Sequence, residues 1–156
     1  MPSVSAEDDL SEAHLNRIRT NCVAAKNSLN QLHANDALLR VNRGQMYEAI
    51  SVKLMASMNS RIALNRLDGG EMVKITADYN RQLEEFRSSY QVYEQALSRL
   101  MRIDCAKKPA EFYSQVGSVR DLREEVNENV KLLHDGIKEY KAAFDKFSSE
   151  FKGEDK

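Results

Sequence analysis

The sequence has no tryptophan, only two prolines and two cysteines, and almost no excess charge of either sign. The net charge of −1 supplies no global field that would attract nucleic acid or an acidic membrane surface. No apolar stretch approaches the roughly 20 residues that a bilayer crossing requires. The sequence therefore predicts no nucleic-acid binding and no transmembrane segment, and membrane association is not indicated.

Recognisable catalytic and metal-binding motifs are also missing. The three histidines, His14, His33 and His134, are scattered, and none stands with a carboxylate and a nucleophile in a catalytic arrangement. Phosphate-binding glycine loops, the Gly-x-Ser-x-Gly elbow and the Glu-x-x-His signature of di-iron bundles are all absent. Neither cysteine belongs to a CxxC pair or has a histidine at zinc-ligand spacing. We therefore expect no catalytic residue, no metal and no cofactor, and the chain is not expected to be an enzyme.

What the sequence does contain is three long runs of hydrophobic residues spaced alternately by three and four. Residues at this spacing share one helix face, and a sustained repeat of this kind is typical of a coiled-coil seam. The first run begins Leu15, Ile18, Cys22, Ala25, Leu29, Leu32; the second is Met72, Ile75, Tyr79, Leu83, Phe86, Tyr90, Tyr93, Leu97, Leu100; the third is Phe112, Val116, Val119, Leu122 or Arg123, Val126, Val130, Leu133, Ile137, Tyr140, Phe144, Phe147, Phe151.

Two strong breaks separate the runs. At residues 67–70, paired glycines suit the left-handed conformation that ends a helix. At residues 104–109, Pro109 fits the first turn of a new helix, where its missing N–H costs nothing. The predicted fold is all-α, an elongated antiparallel three-helix bundle or coiled coil, up-down-up. Its expected parts are a disordered segment at 1–8, a single domain at 9–151 with helices at about 9–67, 71–103 and 109–150, and a frayed tail at 152–156.

The first helix is about twice as long as the second, and its pattern is interrupted. After Leu32 the heptad phase meets Asp36, and apolar residues resume partly at four-residue steps, which locally unwind a supercoil. The expected apolar face then contains Leu39, Met46, Ile50, Leu54, Met58 and Ile62. Residues 33–36 and 42–44 are candidate kinks, since Gly44 within a helix costs on the order of 1 kcal/mol relative to alanine.

Helix one carries the predicted partner-binding surface. Because it outruns its partners, the region from Leu15 to Leu32 needs cover from the 104–109 loop, from a kink or from another molecule. Farther along, Arg40 and Arg43 stand among apolar residues, and Met46, Met55 and Met58 offer a soft surface if any part is uncovered. The candidates for partner binding are Leu15, Ile18, Leu29, Leu32, Arg40 and Arg43, and the partner is another protein or a second copy of the chain.

The residues alone leave the state of Cys22 and Cys105 open. One reading is a small apolar core residue and an incidental loop thiol, and the other is a disulfide in an oxidising compartment. Aligning the helices around Gly69 leaves a gap of roughly 10 Å between the two positions. A disulfide needs Cα atoms within about 7 Å, a difference that an extended loop or a kink would close.

Several strings together resemble a family of helical proteins without assigned function, predicted to be exported, from ultra-small host-associated bacteria. The resemblance spans about residues 15–140. The strings are Asn21-Cys22 followed by residues 28–32, Arg43-Gly44-Gln45-Met46-Tyr47-Glu48-Ala49-Ile50, Asn65-Arg66-Leu67-Asp68-Gly69-Gly70, and Ile103-Asp104-Cys105 leading into residues 108–113. It implies that a signal peptide was removed, that the protein is secreted or lies in the cell envelope, and that Cys22 is bridged to Cys105. Without such processing, the polar start would indicate a cytoplasmic protein. The resemblance implies no activity.

Two functional hypotheses follow. The first is a non-enzymatic, extracytoplasmic coiled-coil module for protein–protein interaction or cell-envelope architecture. The alternative is a helical-bundle carrier of a small hydrophobic ligand or lipid, suggested by the tyrosine and methionine content. A carrier needs an enclosed cavity, whereas an interaction module needs an exposed apolar surface.

Overall fold

The computed structural model describes residues 10–154 and is all-helical, with no strand in that range, so the predicted all-α class is confirmed. The predicted segment 1–8 and the last two residues of the predicted tail lie outside the described residues. The helices are α1 (Glu12–Thr20), α2 (Cys22–Ala49), a π-helical segment π1 (Ile50–Ala56), α3 (Ser57–Leu64), α4 (Gly70–Arg102) and α5 (Pro109–Glu154).

The predicted first helix is a succession of four segments. Asn21 caps the end of α1, where its backbone N–H and its side-chain amide both donate to the Arg17 carbonyl at 3.0 Å. From Cys22 to Ala49 the α-helix is continuous, and neither residues 33–36 nor residues 42–44 break it. The irregularity lies farther on, in π1.

The position of π1 follows from the spacing of the side chains that are buried there. Tyr47, Ser51 and Met55 are buried and follow one another at steps of four. An α-helix turns past this spacing with each step, whereas a π-helix has more residues per turn because its hydrogen bonds span five residues. The four-residue steps in the sequence therefore signalled a real irregularity of this helix. That irregularity is the π-helical segment π1.

The apolar face predicted for this region is displaced by one residue. Met46 and Leu54 are 46% and 52% exposed, while the neighbouring Tyr47 and Met55 are fully buried. Tyrosine has a large apolar ring and a hydroxyl that finds a partner when it is buried, so it competes well for a core position. The prediction gave priority to aliphatic residues and placed Met46 and Leu54 inward, whereas Ile62, the last residue of the predicted face, is buried as expected.

The turn after α3 uses Arg66, not a glycine, in the left-handed conformation, with φ of 57°. The Arg66 N–H donates to the Ala63 carbonyl at 3.0 Å and the Leu67 N–H to the Ile62 carbonyl at 3.1 Å, the pattern of a Schellman motif. Both nearby glycines lack a positive φ. Gly69 instead permits close packing, because a Cβ there would lie 2.8 Å from Ile62 Cγ2.

The connection before α5 is shaped by Asp104. Its carboxylate accepts hydrogen bonds from the backbone N–H groups of Ala106 and Lys107 at 3.0 and 3.1 Å. These bonds, the one from Lys107 foremost, lower the pKa of the Asp104 carboxyl. Helix α5 begins at Pro109, where the sequence predicts it, and continues to Glu154 rather than ending near residue 150.

Where the sequence predicts a single domain, the chain divides into two compact units. Unit 1 consists of Met1–Arg40, described from residue 10, and Ser89–Val126. Unit 2 consists of Val41–Ser88 and Asn127–Lys156, described to residue 154. Helices α2, α4 and α5 each contribute one segment to each unit.

Buried residues follow the predicted seams of α4 and α5 closely. Along α5 five predicted seam residues spaced by seven are buried: Phe112, Val119, Val126, Leu133 and Tyr140. The seam residues between them and the two that follow, Phe144 and Phe147, are half-buried, Phe151 is exposed, and Ala143 is buried outside the predicted seam. Along α4 every predicted seam residue is buried apart from Ile75, which is half-buried. Since these seams contain no competing irregularity, hydrophobic spacing alone identified the inward face.

Candidate functional site

A disulfide between Cys22 and Cys105 joins the start of α2 to the α4–α5 connection in unit 1. The two Cα atoms are 5.6 Å apart, and Cys105 is fully buried. The bridge is thus present, and the connecting loop reaches back along the first helix as the bridge requires. Both cysteines of the chain are used, so neither is available as a nucleophile or a metal ligand.

A buried carboxylate, Asp36, organises the polar contacts in unit 1. The Tyr93 hydroxyl donates to Asp36 Oδ2 at 2.6 Å, and Arg123 donates from Nε to Oδ2 at 3.0 Å and from Nη2 to Oδ1 at 3.3 Å. Asp36 is only 8% exposed, so this pairing replaces the water that it has lost. The sequence held a signal for this contact, because Asp36 and Arg123 each interrupt a hydrophobic seam.

Three ionisable groups around Asp36 have raised pKa values. Burial, followed by the hydrogen bond to Asp36, raises the pKa of Tyr93 well above its ordinary value, and burial raises that of Tyr90 to about 12. Both tyrosines therefore keep their protons at neutral pH. The hydrogen bond to Asp36 likewise raises the pKa of the Arg123 guanidinium. Both oxygens of Asp36 accept hydrogen bonds, so this carboxylate of α2 links Tyr93 of α4 to Arg123 of α5.

The six predicted partner-binding residues do not all lie in one unit. Leu15, Ile18, Leu29 and Leu32 are half-buried in unit 1, and α1 contains no buried residue. Arg40, also in unit 1, donates to Glu94 at 3.1 Å and places its guanidinium 4.8 Å from the centre of the Tyr90 ring. Arg43 is exposed in unit 2. Their role in binding stays a prediction.

In unit 2, tyrosine hydroxyls hold the backbone around π1. The Tyr79 hydroxyl donates to the Tyr47 carbonyl at 2.9 Å, just before π1 begins. The Tyr140 hydroxyl lies 3.3 Å from the Met55 carbonyl within π1 and 2.9 Å from Asn59 Oδ1. Carbonyls at an irregular helix segment need partners from outside the helix, and these two hydroxyls supply them.

Burial sets the acidity of these tyrosines. It raises the pKa of Tyr79 to about 12 and also raises the pKa values of Tyr47 and Tyr140. The Tyr47 hydroxyl lies 3.0 Å from His134 Nε2, and their rings meet edge to face. This contact joins Tyr47 of α2 to His134 of α5 within unit 2.

An apolar groove lies beside π1 on the surface of unit 2, with a volume of about 270 Å³. One wall comes from π1 and α3 and the other from α5. The groove is partly open to solvent, and its lining is almost wholly apolar. It is lined by Leu54, Met55, Met58, Ile137, Tyr140, Lys141 and Phe144.

The sequence indicated half of this groove. Met55 and Met58 belonged to the soft surface expected on helix one, and Met58 stays partly exposed. The α5 wall was missed, because Ile137 and Phe144 were assigned to a covered seam. Their partial exposure depends on how far apart the two walls stand, which is a tertiary property that spacing does not encode.

Within residues 10–154 we find no cluster of side chains suited to hold a metal ion. In the same range, no helix combines the length and apolar content that crossing a bilayer demands. Comparison with protein-family profiles, with curated proteins and with solved structures finds no match for this chain.

Proposed function

We propose that this protein is a non-enzymatic, extracytoplasmic helical module that binds another protein through the apolar groove of unit 2. The groove is the observation that carries the proposal, because it leaves large apolar side chains accessible beside the irregular segment π1. Leu54 is 52% exposed there, and Met58, Ile137 and Phe144 are partly exposed. Contiguous apolar surface of this kind is typical of interaction sites.

The arrangement of helical segments supports a scaffold of three-helix, up-down-up type in each unit. In unit 1, Cys22 is bonded to Cys105 and the later residue Arg40 is bonded to the earlier residue Glu94, so the two segments that they join are antiparallel. In unit 2, Tyr47 contacts His134 and the later residue Asn59 contacts the later residue Tyr140, so the two segments that they join are parallel. Together with the seven-residue spacing along α5, this pattern supports a coiled-coil-like frame that presents the groove.

The disulfide supports the extracytoplasmic part of the proposal. Disulfides persist in secreted and envelope proteins and are reduced in most cytosols. Intact-mass measurement of the native protein, alkylated without reductant, tests this point together with cell fractionation. An alkylated Cys22 in freshly isolated protein, or recovery in the cytosolic fraction, would refute the assigned compartment.

The binding role is tested by site-specific photocrosslinking in cells of the source organism. A photoreactive amino acid replaces Met58 in the groove, and a control replaces Val52, which is 59% exposed on π1 and does not line the groove. We expect a defined protein adduct from position 58 but not from position 52. The adduct partner, once purified, must bind the unmodified chain. Equal adducts at both positions, or none, would refute the role of the groove.

The lining also favours a second candidate, a carrier of a small hydrophobic ligand. A volume of about 270 Å³ lined by apolar side chains can hold a short acyl chain. The open side argues for a protein partner, because a bound chain would keep one face in water. Native mass spectrometry of the isolated protein distinguishes the two, since a carrier retains a bound small molecule.

A further inference from the structure

We infer that the groove of unit 2 receives an amphipathic α-helix whose apolar face is flanked by acidic residues. This inference rests on the proposed function and specifies the partner's chemistry. It commits to a segment of a second, different protein. Three observations carry it: the helical spacing of both walls, the open side of the groove, and the cations on its two rims.

The walls repeat at the spacing of a helix. Leu54 and Met58 stand four residues apart on one wall, while Ile137, Lys141 and Phe144 follow at four and three on the other. Phe151, seven residues after Phe144 on the same helix, is 44% exposed and extends the apolar line of α5. A partner helix with apolar residues at alternating steps of three and four would meet this line turn by turn.

The open side selects a helix over a thinner occupant. A helix covers an open groove with its own polar face, so its backbone stays hydrogen-bonded and its apolar stripe alone is buried. Met58, which is partly exposed, provides a flexible side chain that adapts to such a stripe. An extended acyl chain would fill the floor but leave half of its surface in water.

Charge on the rims selects the flanks of that helix. Lys141 lines the α5 wall, and Arg61 follows Met58 by three residues on the face of α3 that forms the other wall. Lys141 contacts Asp145 at 2.8 Å, but these side chains are 77% and 59% exposed. Such a pair contributes little, so Lys141 can turn to a partner's carboxylate at small cost.

The test uses the full chain with its disulfide and four synthetic, fluorescein-labelled helical peptides of about three heptads. The first carries Leu at its apolar positions and Glu at both flanks, the second has Lys at the flanks, the third Ser in place of Leu, and the fourth the first peptide's composition scrambled. Fluorescence anisotropy measures the dissociation constants. We expect the Glu-flanked peptide to bind at least about tenfold more tightly than the others, equivalent to about 1.4 kcal/mol.

Protein variants locate the binding. Leu54→Asp and, independently, Met58→Asn are expected to weaken the Glu-flanked peptide by about tenfold or more, while Val52→Asp leaves it within about twofold. The double variant Arg61→Glu with Lys141→Glu is expected to reverse the preference toward the Lys-flanked peptide. Circular dichroism confirms that each variant keeps its helices, which the exposure of these positions permits.

Four outcomes would overturn the inference. They are equal binding of the Glu- and Lys-flanked peptides, equal loss in Leu54→Asp and Val52→Asp, binding of dodecanoate in place of any peptide, and a dimer that Leu54→Asp abolishes in sedimentation. A groove-dependent protein adduct from Met58 without a preference for acidic flanks rejects this inference alone. Absence of any groove-dependent adduct or ligand rejects the proposed function as well.

Discussion

The two units stabilise their interiors by different chemistry. Unit 1 has a covalent bridge and a buried carboxylate, Asp36, that pairs with Arg123. The buried polar residues of the described part of unit 2 are all neutral: Ser51, Thr76 and Asn129. There, tyrosine hydroxyls hold the backbone instead. In both units, every buried polar side-chain atom of the described residues has a hydrogen-bond partner.

The two units therefore differ in how much a lost contact costs. Loss of one partner from a buried charge pair leaves an uncompensated charge, whereas loss of a neutral hydrogen bond costs about 1 kcal/mol. Neutral contacts therefore leave unit 2 with an interior that tolerates an irregular helix and an open groove. Unit 1 has the stronger local constraints, its disulfide and its buried carboxylate.

The largest expected effect comes from breaking the bridge in unit 1. Cys22→Ser releases a connection that spans 83 residues of sequence. On the chain-entropy account, closing so long a loop stabilises the folded state by about 4 kcal/mol. We expect Cys22→Ser to lower the free energy of unfolding by about that amount, measured by urea denaturation followed by circular dichroism.

The neighbouring Val23 supplies the matched control. It is 74% exposed and one residue away, so Val23→Ser changes the same stretch of α2 while the bridge stays intact. Its effect should remain within about 0.5 kcal/mol. Reductant should weaken the wild-type protein and leave Cys22→Ser unaffected. A comparable loss in both variants would show that the helix start, and not the bridge, carries the stability.

The second effect concerns the buried charge. Asp36→Asn keeps the shape of the side chain but removes the charge from its hydrogen bonds with Tyr93 and Arg123. Because the Arg123 side chain is 43% exposed, water solvates part of its remaining charge, and we expect a loss of about 2 kcal/mol in unfolding free energy. Asp78→Asn is the control, since Asp78 pairs with Arg81 at 2.8 Å on the surface. Exposed pairs of this kind contribute below about 0.5 kcal/mol. Similar losses in the two variants would contradict a special role for burial.

The sequence predicted the parts of the fold that depend on spacing alone. The seams of α4 and α5 and the start of α5 at Pro109 follow from hydrophobic periodicity and from proline's missing N–H. These signals are local, so a single chain displays them. The same holds for the two breaks between the long helices.

Other features depended on competition between residues in space. The left-handed turn residue is Arg66, although two glycines stand three and four positions later, because the helix ends where its carbonyls find partners. Tyr47 takes the core position in place of Met46 because its ring packs edge to face against Phe86 and His134 and its hydroxyl contacts His134. The groove was half visible, since its α5 wall depends on helix separation.

The third prediction tests the neutral bracing of unit 2 through pH. Tyr79→Phe removes a buried hydroxyl that donates to the Tyr47 carbonyl, which should cost about 1 to 1.5 kcal/mol at neutral pH. The pKa of Tyr79 is raised by burial to about 12, above its ordinary value of 10.0. The stability that this tyrosine contributes is therefore complete below pH 10 and is lost as the pH rises from 10 to about 12.

The measurement is unfolding by urea between pH 8 and 12, an interval that brackets these two pKa values. The deficit in unfolding free energy of Tyr79→Phe relative to wild type should shrink between pH 10 and 12, because only the wild-type protein has a hydroxyl to ionise at this position. Tyr113→Phe is the control, since Tyr113 is 57% exposed. No deficit at neutral pH would show that Tyr79 stabilises through its ring alone, and a deficit that stays constant up to pH 12 would contradict the raised pKa of its hydroxyl.

The smallest effect has the opposite sign and tests the turn after α3. Arg66 adopts a φ of 57°, a conformation that costs a residue with a Cβ about 1 kcal/mol and glycine almost nothing. Arg66→Gly should therefore stabilise the protein by about 0.5 to 1 kcal/mol. Arg61→Gly, the same change within α3, should destabilise it by about 1 kcal/mol, since glycine is a poor helix former. Thermal unfolding of the two variants gives the sign directly. If both substitutions lower the melting temperature, contacts of the Arg66 side chain outweigh its backbone strain, and the turn after α3 stabilises unit 2 through that side chain.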